Sequence, residues 1–78
     1  MPTVLKWDGY RAFFYSNEGR EPPHVHVRSG GCEAKFWLND LETAVNYGFS
    51  AQEIKRIKEQ LMVSQLQLLD AWREYFGD

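Results

Sequence analysis

The sequence predicts an α+β fold: a four-stranded, mostly antiparallel sheet built from two hairpins, followed by one short and one long helix packed on one face. Three observations carry this reading. Asp8-Gly9 separates two runs of aromatic and β-branched residues, "TVLKW" and "YRAFFYS". The runs "HVHVR" and "CEAKFWL" alternate with period two around a glycine-containing turn. From Ile54 onward, apolar residues recur at helical spacing.

In the first hairpin, a two-residue turn at Asp8-Gly9 sets Trp7 opposite Tyr10, Lys6 opposite Arg11 and Leu5 opposite Ala12. One face then carries Leu5, Trp7, Tyr10, Ala12 and Phe14, and it is the better core candidate. The other carries Val4, Lys6, Arg11, Phe13 and Tyr15. The stretch "SNEGREPP" is a loop, stiffened by Pro22 and Pro23 just before His24. In the second hairpin only an even-length turn keeps charge out of the core. It puts Val25, Val27, Cys32, Ala34, Phe36 and Leu38 on one face, and His24, His26, Arg28, Glu33, Lys35 and Trp37 on the other.

The first helix is expected between an Asn39 cap and Gly48 at the left-handed C′ position. The second opens with a capping box of Ser50 and Glu53, stapled by Phe49 and Ile54. Its stripe runs through Ile54, Ile57, Leu61, Leu68, Trp72 and Phe76 to "YFGD". Met62, Leu66 and Leu69 widen the stripe; the whole stripe is expected to pack on the sheet, with the alternative that its excess width meets a second subunit or a partner.

The totals set bounds on function. Seventy-eight residues make one domain, taken as 1–78, and its twelve aromatic residues make an aromatic core. A domain of this size has a narrow stability margin, so a homodimer or a partner protein is expected. The net charge of −2 excludes a generic polyanion binder and confines any nucleic-acid contact to a local basic patch. One cysteine, Cys32, forbids an internal disulfide and points to a reducing interior. No long apolar run marks a leader or a membrane span, so a cytoplasmic protein is expected, with no membrane partner.

With helices on the Leu5/Phe14/Val25/Phe36 face, the opposite face is expected to stay open. It would show Lys6, Arg11, Phe13, Tyr15, His24, His26, Arg28, Lys35 and Trp37, with Glu33 the sole acidic residue assigned there. Basic and aromatic side chains together bind single-stranded nucleic acid by charge and stacking. His24 and His26, two apart on a strand, project from one face and suit general acid and base work across a phosphodiester. Arg11, Arg28 and Lys35 would hold phosphate, and Phe13, Tyr15 or Trp37 would stack bases. The same pair supplies two metal ligands where a zinc site needs three or four, with Glu33 the nearest third. The histidines could also be plain strand residues. A Cys–His pair is disfavoured because Cys32 falls on the other face. A Pro2 amine, exposed on removal of Met1, has no other support as a catalytic base.

The segments "MPTVLKWDGYRAFFYSN", "PPHVHV", "EAKFWL" and "LLDAWREYFG" resemble a family of small bacterial proteins, domain of unknown function 4160, over essentially the whole chain. The family pattern falls on Arg11, Phe14, Ser16, His24, His26, Lys35, Trp37 and Trp72. The resemblance implies one half of a two-gene module of toxin–antitoxin type, whose partner is a small protein encoded by an adjacent gene. The leading expectation is therefore a toxin-like component acting on RNA, with metal-independent, ribonuclease-like chemistry and no cofactor. The alternatives are a non-catalytic protein-interaction module and a His-x-His metal-binding domain.

Overall fold

A computed structural model describes residues 3–77. Met1, Pro2 and Asp78 lie outside the described residues, and the Pro2 amine with them. Five strands form one antiparallel meander in chain order: β1 (Thr3–Trp7), β2 (Tyr10–Phe13), β3 (His24–Ser29), β4 (Cys32–Trp37) and β5 (Thr43–Tyr47). Two helices follow, α1 (Ala51–Val63) and α2 (Gln65–Phe76).

Both predicted hairpins form in the predicted register. Asp8 and Gly9 have φ of 45° and 83°, the paired positive values of a type I′ turn, and Trp7, Lys6 and Leu5 face Tyr10, Arg11 and Ala12. A bulge between Thr3 and Leu5 removes Val4 from the alternation. Val4 consequently packs against the core instead of lying on the opposite face. In the second hairpin Ser29 faces Cys32, Val27 faces Ala34 and Val25 faces Phe36. β2 joins β3 through Arg11–Arg28, Ala12–Val27 and Phe13–His26, so the two hairpins share one sheet.

The expected short helix before Gly48 is instead β5, which makes the sheet five-stranded rather than four-stranded. Asn39 and Asp40 turn the chain: the Asp40 carboxylate accepts from the Glu42 amide at 3.0 Å, and Leu41 takes φ of 60°. The following Thr43, Val45 and Tyr47 alternate as a strand requires. Pairing them with β4 satisfies an edge that a helix would have left bare. Gly48 does adopt positive φ, 102°, but it carries the chain from β5 into α1. A Cβ there would lie 2.8 Å from Cys32 Sγ.

The Ser50–Glu53 capping box forms as expected, with Glu53 N donating to Ser50 Oγ and Ser50 N to the Glu53 carboxylate. The expected single long helix breaks at Ser64, so the two helices are of similar length, 13 and 12 residues. An unbroken helix from Ala51 to Phe76 would be about 39 Å long, beyond the molecule's longest extent of 33 Å. The break lets Ile57 and Leu61 of α1, and Leu68 and Trp72 of α2, reach the same core. That core is the sheet face of Ala12, Phe14, Val25, Val27, Ala34, Phe36 and Leu38, as expected. Met62 and Leu66 remain exposed, whereas Leu69 packs inward. Among the described residues no helix is long and apolar enough to cross a membrane.

Candidate functional site

The opposite sheet face departs from expectation, because its middle is not open. Phe13 and His24 are fully enclosed and His26 is 7% exposed. The ten-residue connector from Phe14 to Pro23 covers them by folding back across β2 and β3. Two consecutive turns shape it, with the Glu18 amide donating to Tyr15 O and the Glu21 amide to Glu18 O. Asn17 and Gly19 are residues suited to such turns. At Gly19 a Cβ would stand 2.6 Å from the Phe76 ring, so glycine lets the end of α2 press directly on the connector. At its far end Pro23 O accepts from the Leu38 amide at 2.9 Å, fixing the approach to β3.

This fold-back delivers Glu18 onto both histidines. Its Oε1 lies 2.8 Å from His24 Nε2 and 2.7 Å from His26 Nε2. His24 Nδ1 donates to the Pro22 carbonyl at 2.9 Å. His26 Nδ1 lies 3.6 Å from Glu33 Oε2, which accepts the Tyr15 hydroxyl at 3.0 Å. Aromatic rings wall the cluster: Phe13 stacks on His26 at 5.7 Å, Tyr15 meets it edge-on at 4.4 Å, and Trp72 lies 5.0 Å from His24. Beside His26 a cavity of about 220 Å³ is lined by Glu18, Glu33, Lys35, Val45 and Tyr47 among others. It is smaller than the roughly 300–1,000 Å³ of typical small-molecule pockets and suits a phosphate-sized group.

The electrostatics follow from enclosure and pairing. Burial pushes His26 below the ordinary imidazole value, and the Glu18 hydrogen bond and charge only partly offset it. Burial also raises the Glu18 carboxyl, but hydrogen bonds with His24 and His26 outweigh that, and its net shift is downward. Burial, then the bond to Glu33, raises the Tyr15 hydroxyl and keeps it a donor. At neutral pH the cluster holds an ionised Glu18 and a neutral His26.

The remaining predicted residues divide into two groups. Lys6, Arg11, Arg28 and Glu33 stand in one row across four strands, each directly opposite the next. Arg28 pairs with Glu33 at 3.1 Å while its side chain stays half exposed, and the Arg11 guanidinium lies 4.9 Å over the Phe13 ring. Lys35 is drawn inward, 2.6 Å from Glu21 and 4.6 Å over the Trp37 ring. In this conformation Phe13 offers no face to a base, and Tyr15 and Trp37 are half-buried against the histidines. Cys32 is on the core face, away from the histidines, as expected.

Glu18 is the residue that sequence reasoning missed. Three ligand-type atoms, one each from Glu18, His24 and His26, lie within 4.8 Å of one another, whereas Glu33 stands behind His26. The available signal was a carboxylate in a turn-rich connector ending in a rigid Pro-Pro, six residues ahead of His24. No curated protein and no solved structure matches the chain. A family model does match, over residues 9–73: the chain belongs to the family described as Domain of unknown function (DUF4160).

Proposed function

We propose that this domain is the toxin-like member of a bacterial two-gene module, binding RNA along the Lys6–Arg11–Arg28 row and presenting a phosphodiester to the Glu18–His24–His26 cluster. One observation carries the reading. Three cations stand directly opposite one another on adjacent strands, an arrangement that costs a sheet stability. Among the described residues neither Lys6 nor Arg11 has a carboxylate within ion-pair distance. Phosphates supply the missing counter-charge, at a strand spacing of about 4.7–4.9 Å. Arg28 and Glu33 connect the row to the cavity beside His26. His26 is the histidine nearest the incoming phosphate. His24, enclosed on all sides, acts through Glu18.

The test is polarisation of a labelled single-stranded RNA at 50 to 200 mM salt. The parent chain should bind with a steep salt dependence. A Lys6→Ala/Arg11→Ala double variant should lose roughly 1.4 from that log–log slope, about 0.7 per lost phosphate contact. Unchanged binding in the double variant removes the row from the reading, and no binding by the parent removes RNA. The toxin half is tested by growth after induced expression, where arrest by the parent but not by His26→Ala is expected.

A second reading, a non-catalytic interaction module, is favoured by Met62, Val63 and Leu66, which are 66%, 82% and 78% exposed where α1 meets α2. It predicts co-purification with the product of the adjacent gene and no retention of RNA.

A further inference from the structure

We infer that Glu18, His24 and His26 form a binding site for one divalent first-row transition-metal ion, of the zinc type, with an open coordination position facing the cavity beside His26. The inference goes beyond the RNA reading and does not depend on it.

Four ring nitrogens face four acceptors: Pro22 O, Glu18 Oε1 twice, and, at 3.6 Å, Glu33 Oε2. A neutral imidazole carries a single N–H, so two neutral rings can satisfy only two of the four. The Pro22 carbonyl can only accept, which fixes the His24 hydrogen on Nδ1 and leaves the Nε2 lone pair aimed at Glu18. If the Glu33 carboxylate likewise holds the His26 hydrogen on Nδ1, both Nε2 lone pairs converge on one carboxylate oxygen. The arrangement lacks two positive charges, in a place where His24 is fully enclosed and His26 nearly so. Two added protons would have to sit on adjacent enclosed rings whose centres are 5.3 Å apart. One divalent ion provides the same charge without that repulsion.

The surroundings match what metal-bound histidines require. A ligating imidazole usually donates its other N–H to a backbone carbonyl or a carboxylate, which sets its tautomer and its orientation. His24 has the Pro22 carbonyl at hydrogen-bond distance, and His26 faces Glu33 at 3.6 Å, just beyond that distance, with Glu33 itself held by the Tyr15 hydroxyl. Two imidazoles and one carboxylate form a donor set suited to zinc and its neighbours rather than to magnesium or calcium. A tetrahedral ion with bonds of about 2.0–2.1 Å holds its ligand atoms about 3.3 Å apart. Glu18 must therefore withdraw about half an ångström from each ring, which a connector residue with a partly exposed side chain can do. The two Nε2 atoms, which lie within 4.8 Å of each other, must settle at that same separation. Such an ion keeps one position for water and lowers that water's pKa. His24 and His26 would then serve as ligands rather than as proton carriers, and a bound ion would supply an acidified water in their place.

The test uses the untagged full chain, stripped with a chelator and titrated calorimetrically with Zn²⁺ in the absence of RNA. Co²⁺ serves as a spectroscopic probe of coordination. One equivalent should bind, with the ring resonances of both histidines shifting together. Glu18→Gln and His26→Ala should each weaken Zn²⁺ binding by 100-fold or more, and Glu33→Gln by about 10- to 100-fold. Circular dichroism of each variant confirms folding, and Glu18→Gln, at a partly exposed position, keeps the test available if a histidine variant unfolds. Binding weaker than millimolar by the parent, or Glu18→Gln binding as tightly as the parent, overturns the inference. Because the titration contains no RNA, its failure leaves the cationic row standing, and loss of RNA binding leaves the metal site standing.

Discussion

On the helix-covered face of the sheet, Val25, Val27, Ala34 and Phe36 meet Ile57, Leu61, Leu68 and Trp72. On the connector-covered face, Phe13, Tyr15 and Glu18 meet His24 and His26. The two sets of sheet residues alternate along the same strands and are enclosed to a similar degree. The first face is held by apolar area, which has no direction and degrades gradually as atoms are removed. The second is held by hydrogen bonds between groups that water would otherwise solvate, so it depends on every partner being present. A face that needs Glu18 to close two histidines is poorly designed for stability alone, and that is the strongest physical reason to read it as a site.

The largest effect expected from breaking either face comes from the apolar one. Phe36 is fully enclosed on the interior strand β4, and Phe36→Ala should cost about 3–5 kcal/mol. A domain of this length has a total stability of roughly 4–12 kcal/mol, so the loss should be plain in urea unfolding. A loss below about 1 kcal/mol would mean that the helices do not cover this face in solution.

Glu18→Ala probes the other face. It removes the carboxylate that both enclosed imidazoles face, at an expected cost of about 1–3 kcal/mol in the metal-free chain. The carboxylate's own apolar contacts are few, so a null result would show that the connector does not close over the histidines. How each face was legible follows from the same contrast. The apolar face could be read because turn chemistry at Asp8-Gly9 and Gly30-Gly31 sets the register, and a one-residue slip would bury charge. β5 was not legible. Asn39, Glu42 and Gly48 carry the local signature of a helix, and only the bare edge of β4, paired through Lys35–Val45 and Glu33–Tyr47, decides for a strand. Glu18 was harder still. Nothing periodic in a ten-residue connector tells where its side chains land, and the fold-back depends on Gly19 meeting Phe76 from the far end of the chain.

Acid should separate the faces further. In the metal-free chain His26 has its pKa lowered by burial, so the unfolded chain binds more protons as pH falls below about 6.5, and stability declines from there. Glu18 is lowered as well, chiefly because its hydrogen bonds with His24 and His26 outweigh burial. Its contribution is present above the ordinary carboxyl value and is lost as pH falls through the lower folded value. Both slopes run the same way: acid destabilises, first through His26 and then through Glu18, with Glu33 and Tyr15 the other ionisable neighbours. Urea midpoints between pH 7 and pH 3 should fall in the parent, and Glu18→Gln should flatten the lower part of the curve. A parent midpoint that does not fall would mean that the cluster is solvated and unpaired.

The smallest effect should have the opposite sign. Lys6 is exposed and stands directly opposite Arg11, which in turn stands opposite Arg28. Like charges so placed oppose folding, and threonine favours a strand, so Lys6→Thr should stabilise the domain by about 0.2–1 kcal/mol. Arg11 is a poorer choice, because its contact with the Phe13 ring, about 0.5–1 kcal/mol for an exposed cation, offsets the relief. If Lys6→Thr raises the urea midpoint while weakening RNA binding, the row is retained at the expense of the fold, as expected of a binding surface. If it lowers the midpoint instead, Lys6 has a folding role, and the unpaired cations lose their value as evidence for phosphate.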